Sequence, residues 1–280
     1  MFPSTIRVPH IEKKILSYMQ PKDLTVFKSV CMEWWYVIVK RTEMKPLIEA
    51  SRHGLENMVV FLLSEKSVSV NDIDVLSGSP RCCPIRCLNE ACCTEAKAKG
   101  YTALMFAARN GHDGIVEQLL MREDIDVNAL SKYNQTALIF AAQKGHKEVV
   151  RLLLKRNDIN VNMAYRRENS RCIMCEGHIC YPKFAKVKGY TALMLAASNG
   201  HFGIVEQLLK QTDIDVNASN KYGQTALMLA AQKGHGSIVL LFMNRNKDRS
   251  DVNINAEDDW CNTASEMASN YQARLPDGII

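Results

Sequence analysis

The clearest pattern of apolar and polar positions lies between residues 99 and 146. Leu104, Ala107 and Ala108 fall at helical spacing. After the step Gly111-His112, Ile115, Val116, Leu119 and Leu120 form a second apolar face at the same period. Thr102 stands where the first helix should begin, with a hydroxyl able to accept from a free backbone N–H. Gly111 suits a helix C-terminus, where positive φ is needed. The two alanines are small enough to let a neighbouring element approach closely. Asp126-Val127-Asn128-Ala129 then predicts an extended finger. The apolar face of such a helix-turn-helix unit is too small to stand alone, so it must be buried against another unit.

That neighbour is visible in the sequence. The same residue types return at Thr136 to Leu153, Thr191 to Leu209 and, more loosely, Thr225 to Leu241. Leu104 and Leu138 are 34 residues apart, as are Leu193 and Leu227. A longer duplication lies over this one: residues 99–146 and 188–235 are identical at 37 of 48 positions. The pattern T-x-L-x-x-A-A-x-x-G-H followed by I-V-x-x-L-L, at a period near 33, resembles the ankyrin repeat. The resemblance implies an all-α solenoid of helix-turn-helix units with extended fingers. Leu47, Ala50, Gly54, Val59, Leu62 and Leu63 fit the same register as a degenerate first unit, with Lys45 in place of Thr and Ser51 in place of the second Ala. At the other end, Asn262 to Ala268 reads as a faded unit with polar Ser265 where Leu is usual, as a capped array requires.

The first forty residues have a different pattern. Ile11, Ile15, Leu16 and Met19 predict one amphipathic helix, and Pro21 ends it. Asp23 can cap a second helix carrying Leu24, Phe27 and Val30, and Trp34, Trp35, Val37 and Ile38 form a third apolar segment. Three short helices bury little surface, so a partner is expected. Val8-Pro9, Ile15-Leu16-x-x-Met19, Asp23-Leu24 and Val30-Cys31-x-x-Trp34 resemble the F-box family, with Val8 and Met19 departing from its usual Leu. The resemblance implies docking onto the Skp-type adaptor of a cullin ubiquitin ligase through Pro9, Ile11, Ile15, Leu16, Leu24, Val30, Cys31 and Trp34. The plainer alternative is a helical cap over the first repeat unit.

The expected organisation is therefore an F-box-like domain over 1–42, a degenerate first repeat over 43–72, and two repeats each over 99–162 and 188–256. Insertions occupy 73–98 and 163–187, and a capping repeat and tail occupy 257–280. Eight of the ten cysteines lie in the insertions. Cys172, Cys175, His178 and Cys180 are the candidate zinc ligands, since thiolate and imidazole suit that ion. Four ligands within nine residues would strain a tetrahedral site, however, so the expectation is exposed loops with free thiols and no cofactor. The start of the chain lacks the apolar run of a secretory signal, and no stretch approaches 18 apolar residues. Reduced thiols, an intracellular location in cytoplasm or nucleus (of its own cell or of a host) and no membrane partner follow as expectations. The net charge of +5 is mild and forms no basic stripe, so no nucleic-acid partner is expected.

His112, His146, His201 and His235 recur in register, and so do the carboxylates near Asp124 and Asp126. Both rows are read as structural, because they follow the repeat period. No phosphate loop, triad or carboxylate pair stands apart from that period, so no enzyme is expected. Binding should use residues that vary between units. The family resemblance places these on the exposed side of each first helix and at the finger tips: Arg52, His53, Arg109, Asn110, Lys132, Tyr133, Gln143, Lys144, Ser198, Asn199, Lys221, Tyr222, Gln232 and Lys233. They suit a protein target with some acidic character. The reading as a whole is a monomeric substrate adaptor of a Skp–cullin–F-box ubiquitin ligase, with a scaffold lacking any ligase link as the alternative.

Overall fold

The computed structural model describes residues 45–64, 68–74, 100–131, 133–165 and 189–272. Paired helices recur along them. The first helices of the units are α1 (Pro46–His53), α3 (Ala103–Asn110), α5 (Ala137–Lys144), α7 (Ala192–Ser198), α9 (Ala226–Gln232) and α11 (Ala264–Gln272). The second helices are α2 (Glu56–Ser64), α4 (Asp113–Leu120), α6 (Lys147–Leu153), α8 (Phe202–Leu209) and α10 (Gly236–Arg249). First helices pack on first helices and second on second, so the array is two layers of stacked helices. The F-box-like residues, both cysteine-rich segments, Lys132 and residues 273–280 lie outside the described residues.

Each unit is built as its sequence requires. Thr102, Thr136, Thr191 and Thr225 accept from the backbone N–H groups of Met105, Ile139, Met194 and Met228 at 3.3, 3.3, 3.3 and 3.4 Å. These bonds satisfy donors that the first helical turn leaves free. Thr263 forms a capping box with Glu266, whose carboxylate accepts the Thr263 N–H at 2.7 Å. Lys45, standing where Thr is missing, makes no side-chain cap; Pro46 opens α1 instead. Ala107, Ala108, Ala141, Ala142, Ala196 and Ala197 are fully buried where first helices meet. Ser51 is equally buried, and its hydroxyl has no hydrogen-bond partner. Such an unpaired group costs about 1–3 kcal/mol, a physical measure of how far the first unit has drifted.

Two features depart from expectation. The fold is mostly helical but not purely so. Strands β1 (Ile73–Asp74) and β2 (Tyr101–Thr102) pair antiparallel, with Asp74 opposite Tyr101, and β3 (Ala164–Tyr165) pairs likewise with β4 (Tyr190–Thr191). These pairs are the feet from which residues 75–99 and 166–188 leave the array, so the first strand of each foot lies inside what the sequence assigned to an insertion. Second, α10 runs 14 residues where the other second helices run 7 to 9. The 38-residue spacing from Thr225 to Thr263 is thus absorbed in a longer helix rather than a loop.

Candidate functional site

The fingers carry the surface that faces a partner, so the bonds that hold them come first. Finger residue Asn71 donates its amide to Asp124 O at 2.7 Å and accepts the Asp126 N–H at 2.8 Å. Asn128 joins Asp158 and Asn160 in the same two-bond manner, Asn162 joins Asp213 and Asp215, and Asn217 joins Asp251 and Asn253. Four identical latches therefore fix each finger to the next. Sequence reasoning saw these Val-Asn steps only as finger residues, although their recurrence in register was the available signal.

The uninterrupted fingers close in a tight turn held from inside. The Ser131 hydroxyl accepts from Tyr133 and Gln135, the Asn220 side chain from Tyr222 and Gln224, and the Asp258 carboxylate from Trp260 and Asn262. Asn134, Gly223 and Cys261 hold the left-handed position of the three turns, at φ of 57°, 74° and 62°. The turn presents Tyr133, Tyr222 and Trp260 at matching fingertip positions. Trp260 is 62% exposed, and its ring centroid lies 5.6 Å from that of Tyr222. Sequence analysis assigned Trp260 to the capping tail and missed it, although Asp258 to Thr263 aligns with Asn220 to Thr225.

The histidine row is structural. Gly54, Gly111, Gly145 and Gly200 turn at positive φ, and a Cβ on any of them would lie 2.5 to 2.8 Å from the ring of the next unit's histidine. His146, His201 and His235 place Nε2 3.0, 3.4 and 3.1 Å from the carbonyl oxygens of Arg109, Gln143 and Ser198. Each ring thus bridges two units. The recurring carboxylates are structural too. Asp124, Asp158 and Asp251 are chelated by Arg122, Arg156 and Arg245. Those guanidinium groups hold their carboxyls below the usual range, chiefly through hydrogen bonding. Among the described residues no cluster of His, Cys, Asp and Glu could hold a metal ion.

The predicted binding residues fall on one rim, at the C-terminal ends of the first helices, and on the fingertips. They are not equally available. Arg52 reaches Glu49 and Asp74, each at 2.5 Å, and its guanidinium lies 4.2 Å from the Phe106 ring centroid. His53 faces Glu49 at 3.4 Å. Asn110 and Asn199 donate their amides to Arg52 O and Gln143 O in the preceding units. Arg109, Lys144, Gln232 and Lys233 are exposed, and Gln143 and Ser198 half-buried. Lys221 is exposed with its ammonium 4.6 Å from the Tyr222 ring centroid. Rim and fingers share one face: the Tyr101 ring lies 5.2 Å from Phe106 and 5.5 Å from Phe140, and Arg109 stands over Phe140. The exposed groups offer hydrogen bonds, charge and aromatic area. They do not assemble a nucleophile, base and orienting group.

No helix among the described residues is long and apolar enough to cross a membrane. A search of curated proteins finds no match. The family model for ankyrin repeats (3 copies) matches residues 75–164 and again residues 169–258, well over half of the chain. The capped helix pairs, the fingers latched by asparagine and the histidine bridges agree with that match, and the chain belongs to the ankyrin-repeat family.

Proposed function

We propose that this chain is a substrate-recognition adaptor for a Skp–cullin–F-box type ubiquitin ligase, with no catalytic site of its own, acting in the cytoplasm or nucleus. Ankyrin repeats support a protein–protein interaction role, and the exposed rim and fingertips are where a protein target would sit. The ligase half of the reading is supported by the F-box-like residues Pro9, Ile11, Ile15, Leu16, Leu24, Val30, Cys31 and Trp34. Because α1 opens at Pro46, only a short connection separates those residues from the array. One end would grip the ligase and the other would hold a target. The gain is effective concentration near the ubiquitin-conjugating enzyme rather than chemistry within this chain.

The test is a binding assay between the purified full-length chain and a Skp-type adaptor. Ile15→Asp/Leu16→Asp is expected to abolish binding while circular dichroism keeps the helix signal of the array. A well-folded chain that never binds the adaptor would leave the second reading, a scaffold whose function rests on the repeats alone.

A further inference from the structure

We propose that the rim binds an acidic segment of its partner in polyproline II conformation, with one apolar side chain of that segment seated on Trp260. The inference rests on the reading of the array as a protein-binding device and adds the chemistry of what it holds.

Charge is segregated between the faces. Away from the rim, Arg122, Arg156 and Arg245 each hold a carboxylate, Arg151 pairs with Glu148 and Lys210 with Glu206. On the rim, Glu49 and Asp74 are both taken up by Arg52. Arg109, Lys144, Lys233 and Lys221 are exposed, and none has a carboxylate within salt-bridge distance among the described residues. Cations near a helix C-terminus also favour the macrodipole, which accounts for part of the rim row. It does not account for Lys221, which stands on a fingertip. Cations held in place without counter-ions on one face favour an anionic partner there.

The spacing selects the partner's conformation. Packed helices lie about 8–10 Å apart, which sets the distance from one unit to the next. A polyproline II chain advances about 9 Å per turn of three residues, with every third side chain on the same side. Arg109 and Lys144 are on adjacent units, and Lys233 lies two units beyond Lys144. Carboxylates at positions i, i+3 and i+9 of such a segment meet all three cations, and position i+12 reaches the next fingertip. That fingertip is Trp260, exposed and backed by Tyr222. Asp259 is also exposed beside it, so the segment should be apolar rather than acidic at that end.

The probe is a fluorescent 14-residue peptide of Ser and Pro with Glu at positions 1, 4 and 10 and Leu at 13, titrated against the full-length chain. Its Glu→Gln form is expected to bind at least about ten-fold more weakly, as is the probe against Arg109→Glu/Lys144→Glu/Lys233→Glu. Trp260→Ala should cost about ten-fold. Raising salt from about 0.05 to 0.3 M should weaken binding several-fold. Equal binding of the Gln peptide, or unchanged binding by the folded triple variant, overturns the inference, as does binding of a single-stranded RNA of similar length in place of the peptide. A random-peptide selection on the immobilised full chain separates the two levels. Enrichment of neutral or basic sequences overturns the acidic segment and leaves the protein-binding reading standing; enrichment of none by folded chain overturns both.

Discussion

The two insertion feet occupy equivalent places, pair in the same register and re-enter the array through the same words, Lys-Gly-Tyr-Thr. Different forces hold them. At the first foot Asp74 receives the Arg52 guanidinium, which lies over Phe106. At the second, the place of Asp74 is taken by Tyr165, whose ring lies 5.9 Å from Tyr190, and the place of Arg52 by Gln143. One foot is a charged clamp and the other an aromatic pair. What the feet share is backbone: a Cβ on Gly100 would lie 2.3 Å from Asp74 O, and one on Gly189 2.3 Å from Tyr165 O. The backbone constraint is common to both feet, while two unlike side-chain solutions fill the space beside it.

The largest effect that could break this comparison is at those glycines. Gly100→Ala and Gly189→Ala should each force the paired strands apart and cost about 1–3 kcal/mol in chemical denaturation. Equal losses are expected; a loss at one foot alone would mean that the backbones differ as well. Next come the latches. Asn71→Ala and Asn162→Ala, beside the feet, should each remove two bonds and cost about 1–2 kcal/mol. Asn128→Ala, in a finger without an insertion, should cost the same; a much smaller loss beside the feet would show that the insertions loosen the stack.

The clamp and the ring pair can be told apart by salt. Asp74→Asn should cost about 1 kcal/mol, with the loss shrinking as salt rises. Tyr165→Leu should cost about 0.5–1.5 kcal/mol at any salt concentration. Identical salt responses would remove the distinction. The smallest effect separates the two long copies themselves: Arg122 and Asp124 of the first correspond to Gln211 and Asp213 of the second. Asp124 is held below its usual range by Arg122, and Asp251 by Arg245. A carboxyl lowered on folding stabilises the protein above its unfolded value, near pH 4, and loses that contribution as pH falls through the folded value. Thermal melts between about pH 5 and pH 2 should therefore fall less steeply for Asp124→Asn and Asp251→Asn than for the parent, and Asp213→Asn should change the slope least.

Much of this architecture was legible in the chain. Thr102, Gly111 and the two alanines act locally, through a cap, a left-handed turn and a close approach, so their letters carry their roles. The candidate face was half legible. Variation between units pointed to Arg52, Asn110 and Asn199, yet contacts with other units occupy all three. Arg52 meets Asp74 across 22 residues and Asn110 meets Arg52 O across 58. Trp260 was hidden for the opposite reason, because its finger lies in a unit whose helix has lost the apolar letters that announce it.

By itself the sequence determined the unit, its period, its caps and the places where insertions interrupt it, since each follows from spacing and backbone preference within some 34 residues. Only the tertiary structure decided which of two chemistries secures each foot, which rim cations keep a free charge and which fingertip is bare. Those outcomes depend on what stacking brings within a few ångströms, and stacking pairs residues dozens of positions apart.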